Sequence, residues 1–520
     1  MILGDQDAAT SAPRGQREFA IDEALRRSAQ RRPDALALID PPNREAFTGG
    51  APRRLSYAQA ERMVGAIAGR LRGMGLSADA VIGIQLPNVV EGILTILGVL
   101  RAGMIAAPLP LLWRRADAVT ALGRVGAKAL ITCGHVGGFN HCQFALRVAS
   151  EIFSIRYVCG FGDRLPDGVV PFDDLFAVET PDTPRERPAD ACNHIGVVTF
   201  DINDDGLVPV ARNHQEMLAG GLAVTLESRF VQNARILSTI PPSSFAGISL
   251  TLMPWLLSSG TLTLHHPFDA ALLARQIGTD ACTTLVVPAA VAWRLAEAGA
   301  FPSGIKNVVA AWRAPELQAT SPTWRGTNAA LTDILIFGEA GVVAACRGAD
   351  GRPTPIPPGP AMAPRGKSGA VAVVELAITP LGTLALRGPM VPRHAFPPGL
   401  ERSGLPYFNT EAAGLVDTGY SCRLNSTTRS LLITAPPAGI VAVGGYRFPL
   451  HELREAIGRI DGGATLTALP DPLTGQRLIG NAEKREMVQA ALTAVGVNPL
   501  VVAAFGDASE RDETGEQMSA

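Results

Sequence analysis

The chain has 520 residues, 47% of them hydrophobic and 18% charged, with a formal net charge of −2. At roughly 100–200 residues per domain this length allows two to four domains or subdomains, and the apolar share supplies a large core, which excludes wholesale disorder. The near-zero charge argues against the basic face of a nucleic-acid-binding protein, and 54 Gly and 40 Pro spread without a period exclude collagen-like and low-complexity readings.

In chain order, residues 1–16 read as a loose tail. Phe19, Ile21, Ala24 and Leu25 recur at helical spacing, and Ala-Leu-Ala-Leu-Ile then reads as a short strand before a Pro/Gly-rich loop at 41–53. Ser56 caps a helix whose apolar side carries Ala58, Met63, Ile67 and Leu71. A strand from Val81 follows, and Asn88 is expected to cap a helix over about 89–102. Strands at 129–132, 195–199, 235–240 and 284–287 alternate with helical stretches, the pattern of an α/β protein with largely parallel sheets. After about 365, Ala370-Val-Ala-Val-Val-Glu-Leu and Gly382-Thr-Leu-Ala-Leu-Arg-Gly read as antiparallel β structure, and 430–505 as a small α+β unit. The acidic stretch from Gly506 reads as a second tail.

Seven well-separated cysteines, an odd number without a Cys-x-x-Cys, favour a reducing, cytoplasmic setting over a disulfide framework. The N-terminus lacks a basic start followed by an apolar run, so no signal peptide is expected. The most apolar region, about 81–112, is interrupted by Glu91 and Arg101, so no membrane span is expected. Only four lysines occur: Lys128, Lys306, Lys367 and Lys484. A zinc role for Cys133, His135, His141 and Cys142 has an unusual spacing, and two local loop clusters explain them better. A Gly-x-Ser-x-Gly elbow and a Gly-x-Gly-x-x-Gly fingerprint are both absent, against a hydrolase and a dinucleotide domain.

Several motifs fall in a recognisable order. They are Leu55-Ser-Tyr-Ala-Gln-Ala-Glu-Arg, Leu86-Pro-Asn88, Gly98-Val-Leu-Arg-Ala-Gly103, Leu264-His-His-Pro-Phe-Asp269, Leu386-Arg-Gly-Pro389, Asp417-Thr-Gly419, Val443-Gly-Gly-Tyr-Arg-Phe-Pro449 with Glu452, and Pro470-Asp-Pro-Leu-Thr-Gly475. This set, spanning about 17–516, resembles the AMP-forming acyl-CoA synthetase family of adenylate-forming enzymes. The resemblance implies an α/β fold with a large N-terminal domain of mixed and parallel sheets (17–434), a hinge (435–439) and a small α+β lid (440–505), followed by the tail 506–520. It also implies activation of a carboxylate by ATP and Mg²⁺ to an acyl-adenylate, then transfer to CoA or another thiol, with the lid rotating between the two half-reactions.

Such chemistry needs a phosphate cradle of backbone N–H groups, a cation and a metal carboxylate. The family's phosphate loop is rich in Thr, Ser and Gly and ends in Pro-Lys. Here the stretch is Phe200-Asp201-Ile202-Asn203-Asp204-Asp205-Gly206-Leu-Val-Pro209-Val210, so the lysine position holds Val210, or Pro209 in the other register. Its carboxylates would repel a triphosphate unless a metal bridged them. The family's Tyr-Gly-x-Thr-Glu becomes Phe337-Gly338-Glu339-Ala340-Gly341, which keeps an aromatic face for adenine but loses the metal carboxylate, with Glu339 two residues early and expected to point elsewhere. Its ribose-binding Thr-Gly-Asp becomes Thr418-Gly419-Tyr420, with Asp417 a possible substitute. The hinge Arg becomes Pro436 and the pivot Gly439, while the lid lysine falls on Glu516. Lys484 lies about thirty residues too early to replace it.

Two readings result. In the first, the chain is a degenerate, pseudoenzyme-like relative that binds an acyl or CoA-like small molecule or a protein partner, with no catalytic residue, metal or cofactor assigned. In the second, it is a divergent but active acid–thiol ligase using ATP, Mg²⁺ and CoA. Asp204, Asp205 or Glu339 would then hold the metal, and Arg212 would stand in for lysine. The acid itself is not legible, because Trp255, Val287 and the region near Trp312 cannot be placed from sequence.

Overall fold

Alternating strand and helix patterns place apolar runs on strands that must be covered on both faces, and the chain resolves this by stacking helices against two large sheets. The computed structural model describes residues 20–177 and 191–506, apart from 204–205, 303, 326, 394, 406 and 409–413. Asp204, Asp205, Glu516, the expected tail 1–16 and all of the expected tail 506–520 except Gly506 therefore lie outside the described residues.

One sheet has eight strands. Its parallel centre runs from Leu36–Ile39 through Thr261–Leu264, Arg235–Ser238, Thr284–Pro288 and Asn307–Trp312 to Ala330–Phe337, and an antiparallel strand closes each edge. The other has seven: Gly206–Asn213, Ile195–Asn203, Ile105–Pro108, Val81–Ile84, Ala129–Cys133, Tyr157–Phe161 and Val169–Pro171. One continuous apolar core joins these two sheets. The helix Tyr57–Gly73 starts where expected, with Ser56 and Gln59 forming a reciprocal capping box. Its neighbour Val90–Arg101 is buried on every side, and Gly98 lets the two helices meet, since a Cβ there would stand 2.5 Å from Ile67 Cγ2. Asn88 does not cap that helix as expected. Val89 holds the cap position, while the Asn88 amide donates to the carbonyls of Ser238 and His265, 150 and 177 residues away, and so ties the helix entry to the other sheet.

A five-stranded antiparallel sheet follows, ending in Leu431–Ala435. Past a turn at 436–439, the smaller C-terminal domain pairs Tyr446–Pro449, Ile440–Val443, Gly475–Asn481 and Thr465–Asp471. The helices Leu450–Ile460 and Arg485–Val495 cover this sheet, and a separate core includes Phe448, Ile457, Leu466, Val488 and Phe505. No helix among the described residues is long and apolar enough to cross a membrane.

Candidate functional site

The site lies where the C-terminal domain meets the body. The turn joining Ile440–Val443 to Tyr446–Pro449 is pushed into the cleft. The Arg313 guanidinium donates to the Gly444 carbonyl, the Leu112 amide donates to the Tyr446 hydroxyl at 3.2 Å, and Arg447 forms an ion pair with Asp201. On the far side of the lid, the Ala116 amide donates to the Gly496 carbonyl at 3.0 Å. These contacts enclose a cavity of about 190 Å³. Its apolar wall includes Leu86, Leu112, Trp113, Phe200 and Ile240, and its polar side Asp201, His266, Arg313, Glu339, Tyr420 and Arg447.

The expected phosphate loop is not a loop. Ile195–Asn203 and Gly206–Asn213 form a β-hairpin paired without interruption from Val197 to Gly206, with Thr199 opposite Val210, Asp201 opposite Val208 and Asn203 opposite Gly206. In such a ladder alternate backbone N–H groups bond the partner strand and the rest point to the opposite side, so consecutive ones do not converge on an anion. Val210 is fully buried, and Gly206, at φ +101°, turns the hairpin beside Glu452 of the lid.

Glu339 corrects a sequence expectation, because it points into the cleft. Gly338 adopts φ +54°, and the turn after the strand Ala330–Phe337 carries the Glu339 carboxylate to the Thr199 hydroxyl (2.5 Å) and the Phe245 amide (3.0 Å). The Glu339 amide donates to Asp201 at 2.8 Å. Burial pushes the Glu339 carboxyl up to about 7, against the opposing pull of Arg212 and Thr199. Arg212, the cation offered in place of lysine, is 2% exposed. It lies 3.7 Å over the Phe245 ring, pairs with Glu339 and donates to its carbonyl, and is not part of the cavity wall. Burial lowers its pKa, and its Nη1 makes no hydrogen bond. It is a core arginine, turned away from the cleft.

Phe337 and Tyr420 stand edge to face, with centroids 5.4 Å apart, and both are buried. Tyr420 walls the first cavity, while Phe337 lines a second of about 430 Å³ together with Pro315, Leu335 and Ile433. The phenol thus stands between the two spaces, and burial pushes its pKa up to about 12. Asp417 does not replace the missing ribose acid. It is exposed, and accepts from the Thr383 hydroxyl and the Gly419 amide at 2.8 Å each. Thr418 donates to the Leu384 carbonyl, Gly419 turns at φ +72°, Pro436 is half-buried and Gly439 turns at φ +75°. Gly341 is buried in the strand Gly341–Cys346. Trp255, Val287 and Trp312 belong to the core, outside the cavity wall.

Among the described residues no group of three or more His, Cys, Asp or Glu could hold a metal ion. Cys133 and Cys142 are buried and their pKa values are raised by burial, while His141 faces Gln85, so this cluster is structural. Mg²⁺-triphosphate does not fit the described residues: the paired hairpin strands offer no N–H cradle, and no group of three or more metal-ligating side chains is present among them.

Residues 25–180 match the family described as AMP-binding enzyme. The salicyl-AMP ligase / salicyl-S-ArCP synthetase of Mycobacterium tuberculosis (strain ATCC 25618 / H37Rv) is 28% identical over 150 residues, which is 28% of this chain and 25% of that protein. The chain therefore matches about a quarter of that relative's length. Over residues 25–180 the chain is thus similar to AMP-binding enzymes, and as a whole it has the adenylate-forming fold. The amide bond synthetase McbA of Marinactinospora thermotolerans superposes over 93% of this chain and 94% of its own, with a TM-score of 0.67 and 17% identity. A double mutant of o-succinylbenzoate CoA synthetase from Bacillus subtilis, bound to its product analogue, covers 88% and 87%, with a TM-score of 0.65 and 14% identity. At such identities the structures establish the adenylate-forming fold alone. Every cleft residue from Asp201 onward lies beyond the stretch that matches the family.

Sequence reasoning placed Asp201 in the phosphate-loop stretch and Arg447 in an ordered motif, but assigned neither a role. It missed Arg313 altogether, because an arginine just after a strand carries no spacing signal.

Proposed function

We propose that this adenylate-forming-fold protein has given up efficient acyl-adenylate formation and uses its interdomain cleft to bind a small acyl ligand. The observation that carries the reading is the hairpin Ile195–Asn203 with Gly206–Asn213. Where the family needs a loop of free N–H donors ending in lysine, this chain has paired strands and a buried valine. Arg212 cannot serve as the replacement cation from its place under Glu339. The Arg447–Asp201 pair and the Arg313–Gly444 contact hold the lid against the body. Seven free cysteines accord with a reducing compartment such as the cytoplasm. A protein partner at the same cleft is the lesser version of this reading, since the ring-sized cavity suits a small molecule better.

The test is calorimetric titration of the full-length chain with ATP–Mg²⁺, paired with a pyrophosphate-release assay over a panel of carboxylic acids. No nucleotide binding at millimolar concentration and no pyrophosphate are expected. Micromolar nucleotide binding with acid-dependent pyrophosphate release would overturn the reading in favour of an active acid–thiol ligase.

A further inference from the structure

Two turns at one end of the five-stranded sheet present apolar side chains to solvent. The first, 379–382, joins the strands Val371–Ile378 and Thr383–Arg387. The Gly382 amide donates to the Thr379 carbonyl at 2.9 Å, the Thr379 amide donates to the Thr383 carbonyl at 2.8 Å, and Gly382 takes φ +78°. This tight turn holds Leu381 at 86% exposure, with Ile378 at 37% beside it. The second turn, 425–430, joins Val416–Leu424 to Leu431–Ala435. Its Asn425 side chain accepts from the Thr427 and Thr428 amides at 3.0 and 3.2 Å, and the Arg429 amide donates to the Asn425 carbonyl at 2.8 Å. Leu424, at the foot of this turn, is 44% exposed.

The register sets the two turns side by side. Thr383 pairs with Ser421, and the Cys422 amide donates to the Gly382 carbonyl at 2.8 Å. Continued antiparallel, the two strands bring Leu381 beside Arg423 and Leu424. The charge on this tip has one sign. Residues 376–386 and 418–435 include Arg423 and Arg429 and no acidic residue. Both arginines are exposed, and neither has an ion pair among the described residues. Asp417 lies farther back along the sheet, where its carboxylate takes the Thr383 hydroxyl and the Gly419 amide. Arg352 stands by the second turn, since it lines the larger cavity with Asn425 and Thr428, but Asp350, which accepts its amide at 3.1 Å, offsets it.

Single exposed leucines are ordinary on a protein surface. Here three apolar side chains share one tip with arginines alone, and hydrogen-bonded turns keep them from folding away. Such a tip is complementary to an anionic lipid surface: the apolar groups reach the acyl boundary while the guanidiniums meet headgroup phosphates. A protein partner needs a broad face or a groove, and two turns by themselves offer neither.

We propose that this end of the five-stranded sheet is a peripheral membrane-docking tip, which sets Leu381 and Leu424 into the headgroup region of an anionic bilayer with Arg423 and Arg429 on its phosphates. The attachment needs no spanning helix. None of these four residues lines the interdomain cavity, so the proposal is independent of what the cleft binds.

Flotation of the full-length chain compares vesicles of phosphatidylcholine with vesicles of equal parts phosphatidylcholine and phosphatidylserine. Two arginines at about fivefold each predict roughly 25-fold stronger partitioning onto the anionic vesicles, and added salt should weaken it. Arg423→Gln with Arg429→Gln should abolish that preference. Leu381→Ser with Leu424→Ser should weaken binding to the anionic vesicles by about tenfold. Thermal melting checks that each double variant folds, as exposed positions lead one to expect. Failure of the unaltered chain to float with anionic vesicles overturns the proposal, and so does equal partitioning onto the two vesicle types. Anionic-vesicle binding undiminished in either double variant overturns it as well, because another surface then makes the contact. If a variant does not fold, the ratio between the two vesicle types for the unaltered chain still decides.

Discussion

Replacing Arg447 with methionine tests whether one ion pair holds the lid to the body. The side chains of Arg447 and Asp201 are 16% and 14% exposed. Burial works against the Arg447 charge, and Asp201 more than offsets it, leaving the guanidinium more firmly protonated than usual. Without Arg447, the Asp201 carboxylate keeps the amides of Glu339 and Ile202 but loses its ion-pair partner beside the Glu339 carboxyl. Removing one partner of a fully buried pair costs about 3–5 kcal/mol. Residual exposure here brings that to about 2–3 kcal/mol, borne by lid opening because the pair bridges the two parts. Asp201→Asn in the same background removes the stranded charge, so the double variant should recover part of the loss, with a coupling energy of about 1–3 kcal/mol. Local opening of the C-terminal domain is read by native-state hydrogen exchange of Ile440–Val443 and Tyr446–Pro449. Exchange in Arg447→Met matching the unaltered protein, or a coupling within about 0.3 kcal/mol of zero, would refute the reasoning.

Glu339→Gln should change the pH dependence of stability. The folded carboxyl titrates at about 7 against an ordinary value of 4.5, so the folded state binds more protons across that window and stability falls as pH rises through it. Chemical denaturation from pH 4 to pH 8 should show the variant gaining on the parent by about 3 kcal/mol at the upper end, and a constant difference would contradict the burial argument. Gly338→Ala should cost about 2–4 kcal/mol in thermal melts, because φ is +54° and a Cβ would overlap both the Asp201 carboxylate and the Arg447 guanidinium. A stable Gly338→Ala would mean that this turn is looser than it looks. Val210→Lys puts an ammonium at a fully buried position; it should lower stability by several kcal/mol and leave calorimetry with ATP–Mg²⁺ silent. A well-folded Val210→Lys that binds nucleotide would show that the hairpin can still act as a phosphate loop.

The double substitution of chemistry and geometry in the cleft has one physical root. A phosphate loop works because its backbone is left unpaired, and runs of Gly, Ser and Thr keep it so. Here Phe200 and Ile202 on one strand and Val208 and Val210 on the other are residues that favour an antiparallel pair. On the reading proposed above, one change of composition accounts for both the missing lysine and the closed hairpin, which presents Asp201 to the lid's Arg447.

The order of motifs from Leu55 to Gly475, the alternation of strand and helix, the Ser56 cap and the loss of lysine around Val210 could all be read from residues alone. These features are local: they depend on spacing, on backbone preference and on the identity of a few side chains. The tertiary structure decided what the substitutions mean. It paired 197–203 with 206–212, turned Arg212 under Glu339, and swung Glu339 into the cleft through the left-handed Gly338. It set Tyr420 against Phe337 and left Arg313 facing a cavity. Periodicity and spacing cannot report these outcomes, because each depends on which distant segment arrives opposite: Asp201 meets Arg447 across 246 positions, and Leu112 meets Tyr446 across 334. Charge and burial in such a cleft are properties of the assembled neighbours, so the chemistry of the site emerges only when the lid is docked.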